Sequence, residues 1–226
     1  QGRTFTAPVL VSVLPDLASI NARGPQIGIS SLGVTIIAGG KKGNIYSFEK
    51  NGKEAWRETA RVNDQDFSAR GGLMALDGDG STLYAVWLDL RAGHNQIYGA
   101  ASADGGESWS KNVLVYTSPD STVCQCCKPS VAVRGNKVFV MFRNLIDGNR
   151  DLYLIRSDDG GKVFREAAKL GTGNWKLNGC PMDGGALVIN QNGDPETVWR
   201  RQNKIYRCEP GKPEQEIAEG RNCNMT

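Results

Sequence analysis

The sequence is poor in histidine, in long hydrophobic runs and in clustered charge, and each shortage closes off a class of function. One histidine beside six cysteines leaves no His-rich zinc site. The longest apolar run, Val34-Thr35-Ile36-Ile37-Ala38, has the length of a strand and falls far short of the ~20 residues of a membrane-spanning helix, so no membrane span is expected. The 27 basic residues are interleaved with 24 acidic ones for a net charge of +3, without any basic run, which argues against a nucleic-acid partner. No stretch carries the periodicity of a convincing amphipathic helix. A methionine and a signal peptide are lacking at Gln1, which reads as a processed, trimmed or fragmentary product.

What is present points to sheet. A chain of 226 residues with 28 glycines and 39% hydrophobic residues has room for one large all-β domain or two small ones, with many turns. An even cysteine count fits an oxidising compartment, so a secreted or periplasmic location is expected; buried free thiols in a cytosolic protein are the alternative.

One short pattern occurs twice: Ser102-Ala103-Asp104-Gly105-Gly106-Glu107-Ser108-Trp109 and Ser157-Asp158-Asp159-Gly160-Gly161-Lys162-Val163-Phe164. In each copy an Asp precedes two glycines able to take positive φ, and an aromatic follows. The carboxylate of Asp104 or Asp159 can accept N–H groups that the turn leaves unpaired, while Trp109 or Phe164 anchors the turn on a hydrophobic layer. Around these clips the chain repeats. Tyr46, Tyr98, Tyr153 and Tyr206 follow one another at 52, 55 and 53 residues, giving units over approximately 22–66, 67–120, 121–172 and 173–219. Each unit opens at a Gly or Pro mark: Gly24-Pro25, Gly71-Gly72, Lys128-Pro129 and Gly184-Gly185. A second strand follows, expected to alternate apolar and polar residues, as at Leu83–Trp87 and Val138–Phe142; a third carries Tyr, and a fourth leaves the clip, as at Asn112–Tyr116. Four-stranded antiparallel units of this length are the blades of a β-propeller. Lys50–Trp56 and Glu209–Pro213 read as drifted clips, and Gln1–Phe5 as the tail of another.

The repeated pattern resembles the Asp-box, or BNR repeat, of sialidase-like β-propellers. The resemblance implies that the clips lie on the outer rim, away from any ligand, and that about four blades of a six-bladed propeller are present. About two blades would then come from the rest of the polypeptide or from another chain; a complete four-bladed propeller is the alternative. It also implies glycan binding or hydrolysis at the mouth of the central channel. Sialidases hold the substrate carboxylate with three arginines and use a Tyr nucleophile with a Glu, and an Asp as general acid. Arg23 and Arg70, at equivalent points of adjacent units, could form part of such a clamp, although the family's Arg-Ile-Pro signature is absent and no Tyr/Glu pair can be assigned.

Other candidates lie near the starts of the inner strands or the ends of the second strands. Arg143 and the Asp89/Arg91 pair could face the ligand or bridge loops between blades. Trp175 could stack on a sugar or plug the packing, and Asp183 follows Cys180-Pro181-Met182. Cys124, Cys126 and Cys127 precede one inner strand and Cys180 the next, so a disulfide from the cluster to Cys180 would clamp adjacent blades. Cys208 and Cys223 could close a second clamp. No cofactor is expected. The alternative is a soft-metal site for copper on Cys124, Cys126, Cys127, Cys180 and Met182, against which stands the opposite orientation of neighbouring side chains in an extended strand. A non-catalytic platform for a protein or metal is the second functional reading beside the glycan-directed one.

Overall fold

The computed structural model describes residues 4–19, 23–50 and 55–225, and among them there is no helix. Sixteen strands form four antiparallel sheets of four, each ordered as the chain runs. The first holds β1 (Gln26–Ser30), β2 (Gly33–Gly39), β3 (Ile45–Lys50) and β4 (Arg57–Arg61). The second holds β5 (Ala69–Asp79), β6 (Thr82–Asp89), β7 (Gln96–Ser102) and β8 (Val113–Tyr116). The third comprises β9 (Ser130–Arg134), β10 (Lys137–Arg143), β11 (Leu152–Ser157) and β12 (Ala168–Lys169). The fourth comprises β13 (Ala186–Ile189), β14 (Pro195–Arg201), β15 (Lys204–Cys208) and β16 (Gln215–Glu219). The first strands, β1, β5, β9 and β13, touch in succession and form the inner edge of the array. The four repeat tyrosines all fall on third strands: Tyr46 on β3, Tyr98 on β7, Tyr153 on β11 and Tyr206 on β15.

The blades pack face to face through three cores. Ile37 and Ile45 of the first sheet meet Met74, Leu83, Ala85 and Trp87 of the second. The opposite face of the second sheet, with Tyr84, Val86 and Leu88, meets Val138, Val140 and Phe142 of the third. Phe139, Met141 and Leu154 then meet Leu187, Trp199 and Tyr206 of the fourth. The expected alternation of apolar and polar residues on the second strands therefore fails on β6 and β10. Both of their faces are covered by a neighbouring blade, so both must be apolar, and the two strands read as continuous hydrophobic runs. On β1, Ile27 and Ile29 are 62% and 68% exposed, on the face turned away from the second sheet.

The two complete clips are latches between blades. Ser102 Oγ donates to Asp104 Oδ1 at 2.8 Å and accepts Gly106 N at 2.9 Å, while Asp104 Oδ1 also accepts Ser108 N at 3.0 Å. Ser157, Asp159 and Gly161 repeat the arrangement, with Lys162 N and Val163 N both donating to Asp159 Oδ1 at 3.0 Å. All four glycines have positive φ. Each clip then docks on the preceding blade: Gly105 O accepts Thr35 Oγ1 at 2.6 Å, Gly106 O accepts Ser47 Oγ at 3.0 Å, and Gly161 O accepts Tyr84 Oη at 3.0 Å. Trp109 packs on the core between the first and second sheets, and Phe164 meets Tyr84 edge to face at 6.2 Å. The turns at Lys50–Trp56 and the Gln1–Phe5 segment lie partly outside the described residues; Glu209–Lys212 closes as a turn through Lys212 N to Glu209 O at 3.0 Å.

Candidate functional site

The segments entering the inner strands frame an open cavity of ≈ 860 Å³ lined by Gln26, Lys128, Cys180, Asp183, Arg200 and Cys223 among others. Lys128, just before β9, lines this cavity, whereas Arg23, just before β1, and Arg70, at the entry of β5, stand outside its lining. Local sequence explains their placement. The Gly71-Gly72 pair falls in an irregularity of the β5–β6 ladder between Ala69 and Met74, and a Cβ on Gly72 would come within 3.0 Å of Arg23 Cβ and 3.2 Å of Ala18 Cβ. Glycine thus lets the chain carrying Arg23 approach Arg70.

These three cations have no anionic partner among the described residues. Arg70 Nε is buried without a hydrogen-bond acceptor. Burial, and then the adjacent Arg23 charge, push the Arg70 pKa down. Burial likewise lowers that of Lys128, whose Nζ donates only to the neutral Gln26 Oε1, at 3.1 Å. Lys128 was not singled out from the sequence, although it occupies the strand-entry position equivalent to Arg70 and beside Pro129.

The remaining candidates are built into the scaffold. Arg143 is 2% exposed and donates to the carbonyls of Asp183 at 3.2 Å, Arg150 at 2.5 Å and Arg200 at 2.9 Å. Trp175 is buried beside Arg143 and Arg200, each guanidinium 5.1 Å from its ring centre, so the ring is a packing plug. Asp183, also buried, accepts Arg200 Nε. Asp89 accepts Ser68 Oγ and Trp87 Nε1, each at 2.8 Å, and Arg91 Nε at 2.9 Å; although burial opposes it, these donors hold its carboxyl below the usual range. Arg91 continues to Asp64 and Asn112, which makes this cluster a brace between the first and second blades. The structure therefore brings Arg23 and Arg70 together and separates Arg143, Trp175 and Asp183 from them in role.

Cys126 and Cys180 form a disulfide with Cα atoms 6.2 Å apart and a sequence separation of 54. It ties the entry of β9 to the segment leading into β13 and, in the chain-entropy picture, stabilises by about 4 kcal/mol. Cys208 and Cys223 remain thiols. Cys208 belongs to the core with Trp199 and Tyr206, whereas Cys223 lies at the cavity with its Sγ toward Val198 O, so the second clamp does not form. Residues 124–127 turn rather than extend, and this brings the sulfurs of Cys124, Cys126 and Cys127 within 3.5–3.9 Å of one another. The objection from strand geometry thus falls. The Cys126–Cys180 bond, however, takes two of the five proposed sulfur ligands, and Cys124 and Cys127 remain as the free thiols of the cluster.

No protein-family model matches the sequence, and neither does any curated protein. Solved structures do match in fold. An α-L-arabinanase of Penicillium chrysogenum, complexed with arabinobiose, superposes with a TM-score of 0.59 at 13% identity, over 89% of this chain and 67% of that one. A family 117 glycoside hydrolase of Zobellia galactanivorans gives 0.56 at 10% identity, over 89% and 70%. An arabinanase of Bacillus subtilis gives 0.52 at 10% identity, over 84% and 72%. The chain is a β-propeller built on the blade architecture these glycoside hydrolases share.

Proposed function

We propose that this propeller, secreted or periplasmic, binds an acidic glycan at the mouth of its channel, with Arg23, Arg70 and Lys128 receiving the carboxylate. The observation that carries the reading is the pairing of Arg23 with Arg70. Two guanidinium groups repel each other, and one has a buried Nε with nothing to donate to. An unpartnered buried donor is costly, and a ligand carboxylate supplies the missing acceptor and charge together. The paired guanidinium groups support an acidic sugar as the ligand, and the propeller glycosidase fold supports a glycan. The disulfide supports an oxidising compartment.

Binding is favoured over hydrolysis by the described residues. In the cavity that Lys128 borders, Asp183 is the one acid, and Arg200 occupies it. A general acid needs a free, protonated carboxyl within reach of the leaving group. A panel of neutral and acidic glycans tests the reading, with a fluorogenic sialoside run beside it. Retention of sialylated or uronic-acid glycans alone is expected; equal retention of neutral glycans would contradict the assignment. Sialoside turnover lost in Arg70→Ala would extend the reading to hydrolysis.

A further inference from the structure

The cysteine cluster has an arrangement that neither a structural clamp nor glycan binding uses. Cys124 Sγ lies 3.7 Å from Cys126 Sγ and 3.5 Å from Cys127 Sγ, and Cys127 Sγ lies 3.9 Å from Cys126 Sγ. Two buried free thiols are thus in van der Waals contact with one sulfur of a disulfide whose other sulfur, on Cys180, sits at the exposed wall of the cavity. Arg150 Nη1 donates to Cys124 Sγ at 3.1 Å, and the Cys124 backbone is fixed by its N–H to Arg143 O at 3.0 Å. We propose that these four sulfurs form a thiol–disulfide exchange centre, with Cys124 as nucleophile, Cys126 as the sulfur attacked and Cys180 as the leaving thiolate at the cavity wall.

The chemistry balances without an external oxidant or reductant. Cys124 thiolate attacks Cys126 Sγ; the Cys124–Cys126 bond forms, the Cys126–Cys180 bond breaks, and the electron pair leaves on Cys180, which takes a proton from solvent. Cys127 thiolate then attacks Cys124 Sγ, and the pair leaves on Cys126, which takes up the proton Cys127 has given up. The product is a Cys124–Cys127 disulfide, at the Cys-x-x-Cys spacing of redox-active dithiols, with Cys126 and Cys180 reduced.

The charges around the cluster favour this order. The facing Cys127 thiol, and then Arg150, hold the Cys124 thiol below its ordinary range despite burial, whereas the Cys124 charge and burial hold Cys127 up. Arg143 faces Cys127 as well, and Asp183 nearby is neutralised by Arg200. Once Cys124 has become a disulfide sulfur, the charge opposing ionisation of Cys127 is gone. Exchange releases the Cys180–Asp183 segment from its covalent tie to the third sheet, leaving it held by Arg200 to Pro181 O at 3.0 Å and by the Asp183 contacts.

The test is disulfide mapping of the full chain purified without reductant. The folded protein is held at pH 5 to 9, quenched in acid, unfolded, alkylated and digested. Two linkages are expected, Cys126–Cys180 and Cys124–Cys127, interconverting at a rate whose pH midpoint lies below the ~8.5 of an ordinary thiol. Cys124→Ser should retain Cys126–Cys180 alone with Cys180 unlabelled, and Cys127→Ser should stop at Cys124–Cys126; circular dichroism checks that both fold. If either variant fails to fold, the wild-type map decides. A wild-type map holding only Cys126–Cys180 at every pH overturns the proposal. So does Cys180 labelling that survives in Cys124→Ser, which would assign the attack to Cys127, whose Sγ lies 3.9 Å from Cys126 Sγ.

Discussion

Arg143 stands 5.1 Å from the centre of the Trp175 ring, and through that contact a residue pair that could have faced a sugar becomes part of the scaffold. Its three nitrogens each donate to a backbone carbonyl of a separate segment, so one guanidinium fixes the loops before β11, before β13 and at the end of β14. Arg143→Ala leaves those carbonyls without donors in a buried setting and should cost roughly 3–5 kcal/mol in urea unfolding. Arg143→Lys should recover only part, since an ammonium cannot reproduce the planar fork. Trp175→Ala should likewise lower stability, with glycan affinity changing less than it does in Arg70→Ala.

The second glycine of each clip is specified by the neighbouring blade. A Cβ on Gly161 would fall 2.0 Å from the Tyr84 ring, and its φ is +84°; on Gly160, with φ +77°, nothing lies within 4 Å. Gly161→Ala should therefore destabilise by roughly 2–4 kcal/mol, combining overpacking with left-handed backbone strain, and Gly160→Ala by roughly 1 kcal/mol from backbone strain alone. Paired urea titrations of the two variants check the difference.

Acid should loosen the fourth blade. Glu214, although partial burial opposes it, is held down to about 2 by the N–H groups of Thr172 and Gly173 and by Arg201. A carboxyl with a depressed folded pKa contributes stability that is complete above its unfolded value of ~4.3 and is lost as pH falls toward the folded one. The Asp89 cluster acts in the same direction. Stability should fall between about pH 5 and 2, and Glu214→Gln should flatten that part of the curve, measured by thermal unfolding across pH.

Much of the fold was legible because it is carried by local turn chemistry repeated at a fixed interval. Asp104 and Asp159 announce their turns through Ser-x-Asp-Gly-Gly alone, and the tyrosine period sets the third strands. What the sequence could not show was which surface each clip meets: Tyr84 lies 77 residues from Gly161, and only packing brings them together. The site was less legible for the same reason. Arg70 and Arg143 look alike in sequence, both beside strand ends, yet one lacks an acceptor for its Nε and the other has three carbonyls from distant segments. The direction of Cys126 and Cys127 was missed because a turn at 125–126 replaces the extended backbone assumed from their position.

Arg23, Arg70 and Lys128 are, in the proposed function, held for an acidic ligand. Calorimetric titration of sialyllactose against lactose tests this most directly, using the wild type, Arg70→Ala and Lys162→Ala, the last an exposed residue of the second clip. Binding of sialyllactose alone is predicted, weakened by roughly tenfold or more in Arg70→Ala, as a lost charged hydrogen bond of about 1.5–3 kcal/mol requires, and unchanged in Lys162→Ala. Equal heats for the two sugars, or an affinity indifferent to Arg70, would contradict it.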